Sequence, residues 1–180
     1  MRASRIATQI SCATRSWASA VDAPRCGVVM IRGSPRSGLS GVTGSLVLAS
    51  ASIASVEVTA DMTRLESDDN RRDGRLREQA IETDEFPTAT FRLTAPIELG
   101  SAPAEGVKLT ATATGELTLH GETRAVTVPL EAILHGDVVT VTGSIEILFA
   151  DYAIERPTSF LVLSIEDHGI MEFQLHFRRG

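Results

Sequence analysis

The side chains that could do chemistry are few. Four histidines occur, His120, His135, His168 and His176, and two cysteines, Cys12 and Cys26. His120 and His135 each precede a glycine, in L-H-G-E and L-H-G-D, so both read as solvent-facing turn residues. His168 sits in the turn-like E-D-H-G, and His176 falls on the polar side of an alternating segment. Metal binding needs ligands that converge, and neither H-x-H nor H-E-x-x-H occurs, so no metal site is expected. The most enzyme-like group is Asp151-Tyr152, with Glu155 and Arg156 close behind. A carboxylate against an apolar wall can have a raised pKa and act as a base. The simpler reading is a strand-end turn with a satisfied carboxylate. Asp73, between Arg72 and Gly74, reads as a helix cap or an ion-pair partner of Arg72 or Arg75. G-x-S-x-G, P-loop and dinucleotide fingerprints are missing from the sequence. No catalytic residue, cofactor or metal is therefore expected. An enzyme using Asp151 and His168 on a lipophilic substrate is the minor alternative.

The elements that would position these groups are strands. Residues 107–119, VKLTATATGELTL, alternate strictly, with Leu109, Ala111, Ala113, Gly115, Leu117 and Leu119 on one side and Lys108, the threonines and Glu116 on the other. The same period places Val126, Val128, Leu130, Ala132 and Leu134 together, then Val139, Val141, Ile145, Ile147 and Phe149, then Met171, Phe173, Leu175 and Phe177. Upstream, Val56, Val58 and Ala60 share a face, as do Ala89, Phe91 and Leu93, and S-F-L-V-L-S-I-E-D reads as a further strand. Turn signals at His120-Gly121 and His135-Gly136-Asp137 separate runs of about a dozen residues, about twice the usual strand length. Long, serially connected antiparallel strands avoid exposed edges by closing into a barrel. Pro129 within a strand implies an edge or a bulge there. One helix is expected, at about 69–81, with Leu76, Ala80 and Ile81 as its apolar stripe and Pro87 beyond its end. The fold class is thus all-β, an antiparallel barrel with one short helix.

Composition bounds the partners. A net charge of −6 gives no global field for nucleic acid or anionic membrane. Residues 1–40 differ: six arginines stand against the single acid Asp22, scattered among Ser, Ala and Thr rather than clustered. They show no clear periodicity, beyond a short strand signal at Val28–Ile31. They also hold both cysteines, so no disulfide is expected within residues 41–180. No run is long and apolar enough for a transmembrane helix. Met1–Arg5 could serve as a basic signal-peptide start and Ala18-Ser19-Ala20 as a cleavage site, but Arg15 interrupts the apolar stretch between them.

The inward face is short of bulk. Ala111, Ala113, Gly115, Ala132 and Gly143 lie on it, and the chain has eight aromatics (six Phe, one Trp, one Tyr). Unfilled apolar space destabilises a core by about 24 cal/mol per Å³. Either the barrel flattens on itself or an apolar guest fills it. The guest would touch Phe91, Leu109, Ala111, Ala113, Leu117, Val126, Val128, Val139, Val141, Phe149, Phe173 and Leu175.

Two motifs carry a resemblance. Arg72-Asp73, Leu76, Asp84, Phe86-Pro87 and Phe91 form one, and Gly115, Leu117, Thr118, Gly121, Thr123, Arg124 and Val126 the other. Over about 41–178 the chain resembles the YceI-like family of lipocalin-like polyisoprenoid-binding proteins. The resemblance implies a barrel around an apolar tunnel, a long isoprenoid or other lipid as ligand, and residence in the periplasm or cell envelope. The N-terminus supplies no clean signal peptide, which leaves the cytoplasm open. Residues 1–40 do not resemble the strands that open the family's domain. They are expected as an atypical leader, disordered or standing in for those strands, before a barrel domain at 41–180. A barrel short of a wall would expose an edge that invites a homodimer. The competing reading is a filled barrel acting as a protein-interaction or stress-related module.

Overall fold

The computed structural model describes residues 4–8, 28–32, 38–39, 41–49, 51–66, 74, 76–155 and 167–178. Among the described residues, twelve strands make one antiparallel sheet. In chain order they are β1 (Ser4–Thr8), β2 (Val28–Arg32), β3 (Gly38–Leu39), β4 (Val42–Ala49), β5 (Ser52–Asp61), β6 (Leu65–Glu66), β7 (Thr88–Leu93), β8 (Ile97–Glu98), β9 (Lys108–Leu119), β10 (Glu122–His135), β11 (Val138–Leu148) and β12 (His168–Arg178). Across the sheet the order is β1-β4-β5-β7-β9-β10-β11-β12-β2-β3-β6, with β8 added to the start of β5.

That order means the sheet is curled. β5 lies near one margin and β6 at the other, yet only the 3-10 turn Met62–Arg64 separates them in the chain. β3 and β4 likewise lie near opposite margins and are consecutive in sequence. Two covalent links therefore bring the margins of a half-barrel together. The 3-10 turn is held by Asp61, whose carboxylate accepts from the Thr63 amide at 3.1 Å and from the Thr63 hydroxyl. Chiefly the Thr63 hydroxyl bond, aided by the Thr63 amide and Arg64, holds the Asp61 carboxyl below its ordinary pKa.

The long strands follow the alternation read from sequence. β9 and β10 pair from Glu122↔Leu119 to Ile133↔Lys108 without a slip. The β10–β11 ladder begins only at Leu130↔Gly143, so Pro129 stands where β10 parts from β11, the edge its missing N–H requires. A second 3-10 turn, Phe149–Tyr152, follows β11 and buries Tyr152. Of the helix expected at 69–81, residues 69–73 and 75 lie outside the described residues; the described part is a single π turn, Leu76–Ala80, with Ala80 and Ile81 buried. The strand expected at Ser159–Asp167 lies outside the described residues except for Asp167. The short strand signal at Val28–Ile31 corresponds to β2, which pairs with β12, and β1 pairs with β4.

The outward residues of β9, Lys108, Thr110, Thr112, Thr114 and Glu116, are exposed. Apolar inside and polar outside is the reverse of a membrane-spanning barrel. No helix among the described residues is long and apolar enough to cross a membrane.

Candidate functional site

Inside the curled sheet is a cavity of about 180 Å³. Eleven of the twelve residues expected to meet a guest line it: Phe91, Leu109, Ala111, Ala113, Leu117, Val126, Val128, Val139, Val141, Phe173 and Leu175. The twelfth, Phe149, does not. It begins the 3-10 turn after β11 and packs against the core from there, because the strand ends one residue before it. The lining also draws on faces that sequence alternation had grouped without assigning them to a guest: Val56, Val58 and Ala60 on β5, and Ile145 and Met171 on β11 and β12. Among the described residues, Thr90 is the one polar side chain in a wall otherwise built from Val, Leu, Ile, Ala, Phe, Met and Pro.

Two glycines shape the bore. A Cβ on Gly115 would lie 2.5 Å from Phe91 Cζ and 2.4 Å from the Arg92 carbonyl oxygen. On Gly143 it would lie 2.6 Å from Phe173 Cζ and 2.8 Å from Leu130 Cδ2. Each phenylalanine ring thus rests on a neighbouring strand's glycine. This corrects part of the sequence reading: the missing bulk at positions 115 and 143 is filled by aromatic rings, whereas that at Ala111, Ala113 and Ala132 borders open lumen.

The two ends of the cavity differ. At one, Met62, Leu65, Ala80, Ile81 and Tyr152 are 2–6% exposed, and none of them lines the cavity. They form a plug beneath it. His120 pins this plug. It is 7% exposed, not solvent-facing as its place beside Gly121 had implied. Its Nδ1 lies 2.9 Å from the Tyr152 carbonyl oxygen and its Nε2 2.9 Å from Glu82 Oε2. A carbonyl only accepts, so Nδ1 carries a hydrogen; the bond to Glu82 then needs a second proton, on the ring or on the carboxyl. The Phe86 ring lies 4.4 Å from the imidazole, centroid to centroid. His120, Glu82 and Ala153 are the three non-glycine residues with positive φ among those described, and they meet here. Left-handed backbone costs an ordinary residue about 1–2 kcal/mol. These bonds offset that cost.

At the other end the lining residues Leu48, Ile53, Leu99, Pro103, Leu109 and Leu134 are half-buried, and this end is the mouth. The segment between β8 and β9 crosses it. Gly100 (φ +72°) and Gly106 (φ +68°) bound this strap, with open space where a Cβ would go. Glu105 fastens it, accepting from the Gly136 amide at 2.9 Å and facing His135 Nδ1 at 3.6 Å, while the Gly106 amide donates to the Leu134 carbonyl.

Asp151 is exposed on its turn, and His168 lies at the start of β12, its Nδ1 3.3 Å from Asp167. Burial raises the Tyr152 hydroxyl above its ordinary pKa, with the Asp151 charge adding to this. His176, beside the Thr140 hydroxyl at 3.0 Å, has its ring pKa lowered by burial. Among the described residues no three His, Cys, Asp or Glu side chains converge as a metal site. Asp73 lies outside the described residues.

The fold has known counterparts. A family model described as "YceI-like domain" matches residues 20–177. The crystal structure of BcnA from Burkholderia cenocepacia is 22% identical and superposes with a TM-score of 0.67, covering 83% of this chain and 94% of that one. A polyisoprenoid-binding domain from Saccharophagus degradans, implicated in plant cell wall breakdown, is 16% identical with a TM-score of 0.62 over 86% of this chain and 92% of its own. The YCEI protein of Campylobacter jejuni is 14% identical, with a TM-score of 0.66 over 92% and 94%. No curated protein sequence matches the chain.

Proposed function

The chain belongs to the YceI-like family, and from that premise we propose that it binds an apolar chain, an isoprenoid or another lipid, inside the lumen of its curled sheet without catalysing a reaction. The observation that carries this reading is the lining: a cavity of about 180 Å³, plugged at one end, with Thr90 as the one polar side chain among the described residues of its wall. Such a wall has nothing to offer a polar substrate and much to offer a hydrocarbon, at about 0.8 kcal/mol per methylene removed from water. The polyisoprenoid-binding domain of similar fold supports the isoprenoid as ligand class. The eleven lining residues that alternation grouped are the contact set of this proposal. The barrel domain is taken as residues 41–180, with β1 and β2 of the preceding segment joining its sheet in place of the family's opening strands. Residence in the cell envelope belongs to the same reading, and fractionation of the native host checks it.

The test is organic extraction of the purified protein followed by mass spectrometry, with farnesol titrated into the delipidated protein. A co-purified hydrocarbon chain, or saturable farnesol binding at one site, is expected. A stable protein that carries no lipid and takes up no farnesol or n-alcohol sinks the proposal. It would leave the filled barrel as the better account.

A further inference from the structure

The cavity has a depth that its strands measure. On β9 its wall runs from Leu109 at the mouth to Leu117, and on β10 from Leu134 to Val126, eight residues further along the strand in each case. At about 3.4 Å per residue that is about 27 Å of strand. Strands of closed sheets tilt from the axis by about 35–45°, so the lumen is about 20 Å deep. Its floor is made of the next inward side chains. Leu119 follows Leu117 on the inner face of β9, and Ile147 follows Ile145 on that of β11. They are 8% and 5% exposed, and neither lines the cavity. Beyond Ala60, the last lining residue of β5, stands Met62, which is also buried and outside the lining. All three belong to one packed cluster with Leu65, Ile81 and Tyr152 of the plug. A tail that reaches the bottom therefore meets close-packed side chains.

An isoprene unit adds four main-chain bonds, about 5 Å when extended at ordinary C–C lengths. Resting on the lumen-binding reading, we propose that the lumen is a length gauge: it buries about four isoprene units of a chain and no more, and Leu119 and Ile147 set the limit. A shorter chain leaves apolar wall unfilled. In a longer chain the units beyond the fourth stay outside the mouth and add little burial. Affinity then climbs with chain length, because each methylene taken from water contributes, and stops climbing where the floor is reached. The limit acts on the tail, so it holds whatever the head group. Cutting back a floor side chain opens the bore by one inward step. That step is two residues of strand, about 5 Å along the axis, or about one isoprene unit.

The test uses prenols of two to six isoprene units, which share one hydroxyl head and differ only in length. Each competes with tritiated farnesol for the delipidated full-length protein. Binding is expected to tighten at least about tenfold per unit up to a break at three to five units, and less than about threefold per unit beyond it. Leu119→Ala is expected to move the break out by one unit. Ile147→Ala makes the same test from β11 should Leu119→Ala not fold, as urea melts report, and the parent series decides the depth without either. Steady tightening through six units, a break already at two, or a folded floor variant whose break stays in place overturns the length gauge and leaves lumen binding intact. Failure of farnesol and of every other prenol to bind overturns the lumen reading, and the gauge with it.

Discussion

Gly143→Ala offers a direct measure of how the bore is built. In a strand interior, with space around it, replacing glycine by alanine gains about 0.5–1 kcal/mol through lost unfolded-state entropy. Here the new methyl would sit 2.6 Å from Phe173 Cζ, 2.8 Å from Leu130 Cδ2 and 2.9 Å from the Pro129 carbonyl oxygen. Two of these atoms are the far ends of side chains that border the lumen and can swing into it. The carbonyl must give by a few tenths of an ångström. Overpacking of this kind costs about 1–3 kcal/mol. The net expectation is a destabilisation of about 1–2 kcal/mol, which lowers Tm by about 2–8 °C in a chain this long. Gly115→Ala is the harsher neighbour. Its methyl would meet the Arg92 carbonyl oxygen at 2.4 Å, backbone that no rotamer change can move. A cost of about 3 kcal/mol or more is expected there. Urea titrations with linear extrapolation give both values. A double-mutant cycle separates the causes. Phe173→Leu should recover much of the Gly143→Ala loss, since the ring is one of its main obstacles, with a coupling within about 0.5–3 kcal/mol. Phe91→Leu should recover little of the Gly115→Ala loss. A Gly143→Ala variant at least as stable as the parent, or no coupling to Phe173, would refute the picture of rings resting on glycines.

Other perturbations probe the same geometry. Ala113→Phe, at a lining position 3% exposed, should place a ring in the lumen and weaken farnesol binding more than tenfold at a stability cost of no more than about 3 kcal/mol, as read by calorimetry and urea melts; undiminished binding counts against the lumen as the site. Asp61→Ala removes the cap of the turn that joins the sheet margins and should cost about 1 kcal/mol in the same melts. The His176 ring is held neutral by burial, so its contribution to stability is present above about pH 6.5 and lost as pH falls through its lowered pKa. Buried Tyr152 has a raised pKa, so its contribution is full below about pH 10 and lost as pH rises through the folded value. Urea midpoints across pH should decline on both flanks. His176→Gln should flatten the acid arm and Tyr152→Phe the alkaline one.

Much of this architecture was legible in the residues. Strict alternation from Leu109 to Leu119 specified the inner face of β9, because a one-residue slip would turn every threonine inward. The same logic grouped eleven of the residues that border the cavity. It failed at Phe149, where alternation continues in sequence while the backbone turns into a 3-10 helix at that residue. It also failed at His120. A histidine before a turn glycine looks solvated when only the hairpin is considered, but Glu82 and Tyr152, which lie 38 and 32 residues away, bury it. No local pattern encodes such a meeting. The strap over the mouth was equally silent. G-S-A-P-A-E-G reads as loop, and only the pairing of Glu105 with Gly136 reveals what it covers.

The margins of the sheet meet through the passage of the main chain from β3 into β4 and from β5 into β6, not through one unbroken ladder. A seam tied by peptide continuity makes few demands on side chains. Peripheral strands can then drift far in sequence while the pore keeps its calibre. That latitude accounts for an N-terminal stretch that carries none of the two motifs and still falls, from residue 20, within the family match.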